Sequence, residues 1–221
     1  LKAALRLSAL QNLPVTYVFT HDSIAVGEDG PTHEPIEHLA SLRTIPNTYV
    51  FRPADATETQ AAWYLSQKVN NKPTSLVLTR QNLPVLENTS FEKVSKGAYV
   101  VYETSSDFDT ILIATGSEVA LAVDVARELE KEGSKVRVVS MPSVELFEEQ
   151  SKEYKEELLP LNIRRRVSLE MGNSALWYKY VGLDGLAIGI DKFGASAPAN
   201  KVIEEYGFTV EAVVEKIKNE L

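Results

Sequence analysis

Two hydrophobic rhythms take turns along this chain, one strand-like and one helical. LKAALRLSAL at the start is helical: Leu1, Leu5 and Leu7 to Ala9 fall near one face, with Lys2 and Arg6 four apart on another. No capping residue precedes it and no initiator Met heads it, so it reads as a piece of a longer chain cut within a helix. VTYVFTH, residues 15–21, is a short β-branched and aromatic run after Pro14 and predicts a buried strand. Ile36 to Leu42 predicts a short helix with Pro35 at its start. Thr48 to Arg52 predicts a second strand, stopped by Pro53. Asp55 with Glu58 three residues on resembles a capping box, opening a helix through Ala61, Ala62, Leu65 and Val69. Asn70, Asn71 and Pro73 end it, and Thr74 to Thr79 gives a third strand that runs into Arg80.

From Pro84 to Asp109 the periodicity weakens, and only Tyr99 to Tyr102 reads as a short strand. The pattern then restarts. Ile111 to Ala114 is strand, Ser117 caps a helix that ends at Gly133, and Val136 to Ser140 is strand. Arg166 to Glu170 and Leu186 to Gly189 read as later strands, and Thr209 caps a terminal helix. Strands alternating with helices imply mainly parallel α/β sheets. The expected organisation is two three-layer α/β blocks, 1–95 and 107–221, joined by a linker at 96–106. No internal repeat is visible.

Composition narrows the function more than the fold. At 221 residues with 44% hydrophobic and 24% charged positions, the chain can bury a core in each half. A net charge of -8 and pI near 5.1 disfavour nucleic acid. No apolar run reaches the ~18 residues of a membrane span. Without cysteine, neither disulfides nor thiolate metal sites are available, which fits a cytoplasmic protein.

The chain has three histidines, and all of them (His21, His33, His38) lie in THDSIAVGEDGPTHEPIEH, residues 20–38. His21 and Arg80 each follow directly on a predicted strand. If both strands share a parallel sheet, both side chains emerge at its carboxyl edge, where open α/β sheets bind ligands. A guanidinium beside an imidazole suits a phosphate. Asp29 and His33 sit on the loop leaving the first strand and could meet ligand hydroxyls, while Gly27 and Gly30 let that loop approach closely. The set describes a polar pocket for a phosphorylated polyol. Each residue also has a plainer reading: GEDGP is an ordinary turn sequence, and a histidine at a strand end is often only a surface residue. His38 reads as a solvated or capping side chain. A metal site from His33, His38 and nearby carboxylates is a further alternative, as is a phosphate cradle at ATGSE, residues 114–118. Arg164 to Arg166 read as the solvated start of a strand, and Trp177, Tyr178 and Tyr180 as packing.

THDSIAVGEDGPTHEPIEHLASLRTIPN closely resembles transketolase, as do TRQNLP (79–84), IATGSEV (113–119), VRVVSMPS (136–143), WYKYVG (177–182), FGASAP (193–198) and EEYGFTV (204–210). The resemblance runs end to end and in order, and HDS–GEDGPTH–P is a specific string; Glu34 stands where Gln is also common. It implies the later half of a thiamine-diphosphate-binding-like pyrimidine domain followed by the transketolase C-terminal domain. It implies ketol transfer from ketose phosphate to aldose phosphate, in the cytoplasmic pentose phosphate pathway, by a homodimer using thiamine diphosphate and Mg2+ or Ca2+. By motif match, His21 and Arg80 would bind sugar phosphate, Asp29 a sugar hydroxyl, and His33 would sit catalytically close to the reacting carbons. The family's diphosphate and metal motifs would lie upstream, so no cofactor or metal residue is assigned here, and this piece alone is expected to be inactive. The alternative is a non-catalytic subunit or assembly module of a split enzyme.

Overall fold

The structure, a computed structural model, describes residues 2–221. Its first block holds α1 (Lys2–Leu10), β1 (Thr16–Phe19), α2 (His38–Arg43), β2 (Tyr49–Phe51), α3 (Ala56–Lys68) and β3 (Thr74–Val77). The strands form one parallel sheet in the order β1-β3-β2, with Phe19 opposite Val77 and Phe51 opposite Leu76. Central β3 is buried throughout, as an apolar run sandwiched between neighbours should be, whereas β1 at the edge is only half-buried. α3 begins where the Asp55 carboxylate accepts from the Glu58 amide, and its Ala61 and Ala62 are fully buried. α2 starts two residues later than the periodicity suggests. The Ile36 carbonyl accepts from the Asn173 amide of the second block, so the first helical acceptor is Glu37.

The second block holds β4 (Tyr99–Glu103), β5 (Thr110–Ala114), α4 (Glu118–Lys131), β6 (Val136–Ser140), α5 (Val144–Glu148), α6 (Lys152–Leu158), β7 (Arg165–Leu169), α7 (Tyr178–Val181), β8 (Leu186–Ile188), α8 (Ala199–Glu205) and α9 (Val210–Glu220). Its sheet runs β4-β6-β5-β7-β8, parallel except for β4. α4 buries Val119, Ala122, Val125 and Leu129, and α9, capped by Thr209, packs beside it through Val213 and Ile217.

The stretch expected to be linker, 96–106, carries β4, which is an edge strand of this second sheet. Gly97 tucks so tightly under α5 that a Cβ would meet the Phe147 amide nitrogen at 2.2 Å. A five-residue strand flanked by polar residues gives a weak period-two signal, which is why it was faint in the sequence. The two blocks also share one apolar core: Phe51, Ala61 and Leu76 of the first pack in the same cluster as Leu112, Ala114 and Val138 of the second. Among the described residues no helix is long and apolar enough to cross a membrane.

Candidate functional site

Parallel pairing of β1 with β3 sends two chain exits off one sheet edge. The ladder extends one bond further, from the Leu78 amide to the Phe19 carbonyl at 2.7 Å. Thr20 and His21 therefore leave β1 on the side where Leu78, Thr79 and Arg80 leave β3. His21 sits at φ +68°, a left-handed conformation that costs a non-glycine residue about 1–2 kcal/mol. The turn is held from both sides. The His21 Nδ1 lies 2.9 Å from the Thr20 hydroxyl, and the next residue, Asp22, is buried and accepts from the Arg52 Nε at 2.8 Å. Asp22 goes in, so the imidazole stays out. Arg80 is exposed as well, and among the described residues it forms no ion pair.

After β1, Ser23 caps a short 3-10 turn (Ile24–Val26), and the chain reverses through Gly27 at φ +80° and Gly30 at φ +75°. The Gly30 amide donates to the Gly27 carbonyl and the His33 amide to the Gly30 carbonyl. Asp29 and His33 are exposed on this loop, with the Thr32 hydroxyl 2.9 Å from the His33 Nδ1. Glu34 turns inward. Burial raises its carboxyl above the ordinary value, and among the described residues neither carboxylate oxygen has a hydrogen-bond partner.

His21 and His38 line a common cavity of about 550 Å3, walled by Leu5, Phe19, Leu39 and Leu42. Arg80 stands on the neighbouring strand end, and Asp29 and His33 lie further along the loop, outside that cavity's lining. His38, read as solvated or capping, is solvated: its side chain is exposed, 3.7 Å from the Glu37 carboxylate. Among the described residues no three His, Asp or Glu side chains group as metal ligands. The ATGSE turn is already filled: the Gly116 amide donates to the Arg52 carbonyl, and a Cβ there would meet the Arg52 guanidinium carbon at 2.7 Å.

A buried set of charges behind this edge was missed in the sequence. Arg52, fully enclosed, donates to Asp22, Glu118 and Thr115. Arg43 makes a two-pronged bond to Glu170 at 2.8 Å on both prongs, and Glu170 also accepts from the Trp177 indole and the Thr115 hydroxyl. Burial works against each charge, but Arg43 and Arg52 hold the Glu170 carboxyl down at about 2. Burial prevails at Glu118, whose pKa rises despite Arg52. Glu58 is the extreme case. Its carboxylate accepts from Ser140, Tyr99 and the Ala54 amide, yet burial pushes it up to about 7. The capping box is therefore half-formed: Asp55 caps, while Glu58 reaches across to the second block.

Residues 1–85 match the transketolase pyrimidine-binding domain, and residues 97–209 match the transketolase-like TK C-terminal domain. The chain is 70% identical over 218 residues to a probable transketolase of Streptococcus pneumoniae serotype 4, covering 99% of this chain and 33% of that protein. It superposes on a Pichia stipitis transketolase solved in complex with sedoheptulose 7-phosphate with a TM-score of 0.93 at 46% identity, over 99% of this chain and 32% of the other. A split-gene transketolase, an inactive β4 tetramer, shares the fold at a TM-score of 0.73 and 24% identity, over 93% of this chain and 66% of the other. The chain thus spans about a third of the length of the curated relatives it matches.

Proposed function

The chain belongs to the transketolase family, and on that premise we propose that it supplies the sugar-phosphate side of a ketol-transferring active site. The longer enzyme moves a two-carbon ketol unit from a ketose phosphate to an aldose phosphate. His21 and Arg80 bind the phosphate, Asp29 a sugar hydroxyl, and His33 the hydroxyls next to the reacting carbons. The observation that carries this reading is the exit of His21 and Arg80 from two paired parallel strands at one sheet edge, each exposed and, among the described residues, without a carboxylate partner.

The chemistry expected of such a set is positioning. An anion clamped at one end fixes the chain of the sugar, and binding energy from that remote group holds the other end in a reactive pose. The neutral His33 imidazole has one ring N–H and one bare ring nitrogen, so it can donate to or accept from a hydroxyl. Thiamine diphosphate, which the family implies, would supply the nucleophilic carbon and the electron sink. No role toward it or its divalent cation is assigned to residues of this chain. The same family reading carries the expectations of a homodimer, the pentose phosphate pathway and the cytoplasm.

The test uses the full-length polypeptide. Arg80→Ala removes charge-assisted bonds and should raise KM for phosphorylated sugars about tenfold to hundredfold, with far less effect on unphosphorylated ketoses. Equal losses on both substrate types would overturn the phosphate assignment. This chain alone, given thiamine diphosphate and magnesium, is expected to show no transfer until the upstream portion is added. A second reading, a natural subunit of a split enzyme, draws on the fold shared with the split-gene protein. The intact mass of the natural product separates the two.

A further inference from the structure

The loop that carries Asp29 and His33 lies on a segment of the other block. The Ser196 hydroxyl donates to the Glu28 carbonyl at 2.6 Å. A Cβ at Gly27 would stand 2.9 Å from the Ala199 amide nitrogen and 3.1 Å from the Ala197 carbonyl oxygen, and one at Gly30 would stand 3.0 Å from the Ser196 Cβ. Both glycines also have positive φ, so the loop's shape and its seat on the second block require the same residues. Glu34 closes the other end. It is buried, and a Cβ at Gly194 would lie 1.5 Å from its Oε2, so carboxylate and glycine occupy one shared space. α8 continues the contact by packing on the Ile24–Val26 turn. Among the described residues, Asp29 and His33 form no hydrogen bond to the second block, and their loop meets it through the backbone and side chains on either side of them.

We propose that residues 193–199 form a positioning clamp for the Asp29–His33 loop, with Ser196 and the Glu34–Gly194 contact as its two grips. The second block thereby sets the geometry at the sugar hydroxyls without touching substrate, while the strand-borne His21 and Arg80 are independent of it. This rests on the functional reading above for the loop's role, but not for the clamp's existence.

In the full-length polypeptide, Ser196→Ala should speed hydrogen exchange at the Gly30 and His33 amides and lower kcat about two- to tenfold, the range of one lost hydrogen bond. KM for phosphorylated donors should stay unchanged, and Ser196→Thr, which keeps the hydroxyl, should restore both readouts. Gly194→Ala, acting on the other grip, should produce the same pattern. Unchanged exchange in both Ser196→Ala and Gly194→Ala would overturn the clamp. Faster exchange with unchanged kcat would overturn its positioning role. Absence of ketol transfer in the unmodified protein would sink the functional reading instead, and the exchange experiment would still decide whether the clamp exists.

Discussion

Arg52 and Arg80 are both guanidiniums that follow strands of one parallel sheet, and the molecule uses them in opposite ways. Arg52, after β2, has no solvent exposure and is enclosed by Asp22, Glu118 and the Thr115 carbonyl. Arg80, after β3, is exposed and without an ion pair among the described residues. The difference lies in what stands opposite each strand end. β2 abuts the second block, whose β5–α4 turn brings Thr115, Gly116 and Glu118 over Arg52. β3 ends beside the β1 exit, where the next residue outward is an imidazole. A strand end facing another part of the same chain becomes a joint, and one facing solvent stays available for a ligand. Marked electrostatic perturbations fall on the joint: Glu58 and Glu170 are displaced in opposite directions at groups that touch no candidate ligand. Perturbed ionisation often marks function, but here it marks the seam between blocks.

The comparison is most easily broken at Arg52. Arg52→Ala leaves buried carboxylates without their cation and should destabilise the protein by about 3–5 kcal/mol, whereas Arg80→Ala should stay within about 0.5 kcal/mol. Chemical denaturation of the two variants decides the matter, and similar losses would mean the two arginines are not used differently.

Glu58 sharpens the contrast through pH. Its folded value of about 7 exceeds the ordinary 4.5, so the folded state keeps a proton that the unfolded chain releases. Its favourable contribution is complete below pH 4.5 and lost as pH rises through 7, on the order of 3 kcal/mol. Glu170 runs the other way. Held down at about 2, it contributes stability above pH 4.5 that disappears as pH falls toward 2. Glu58→Gln should flatten the decline between pH 5 and 8 in denaturation midpoints and leave the acid limb alone. A slope unchanged by that substitution would remove Glu58 as its source.

How legible these regions were depends on sequence distance. Ile111–Ala114 reads correctly from periodicity because a strand buried between neighbours is a continuous apolar run. The exits of His21 and Arg80 are legible for a related reason: each lies within three residues of its strand's end, although β3 stops at Val77 rather than Thr79, and the alternation of strands and helices implies a parallel sheet. The seam is not legible. Arg43 and Glu170 are 127 positions apart and Arg52 and Glu118 66 apart, and no local pattern couples them. Glu58 was misleading in detail, since a capping spacing explains it locally while its carboxylate bonds to Tyr99 and Ser140. The clamp at 193–199 was equally invisible: FGASAP shows small residues, but not the loop they receive.

A smaller difference than those at Arg52 and Glu58 is expected at the open edge itself. His21 holds φ +68°, so the edge is free for a ligand at some conformational cost. Glycine adopts that conformation without penalty, and alanine does not. His21→Gly should therefore be more stable than His21→Ala by about 1 kcal/mol, the reverse of their order in a helix or strand. Both remove the imidazole, so both should raise KM for phosphorylated sugars to the same extent in the full-length polypeptide. The comparison then separates the backbone from the side chain at a single residue. If alanine proved as stable as glycine, the strain would be absent, and the outward imidazole would follow from the burial of Asp22 alone. If glycine and alanine differed in KM as well as stability, the turn itself, and not only the histidine it presents, would be shaping the anion site.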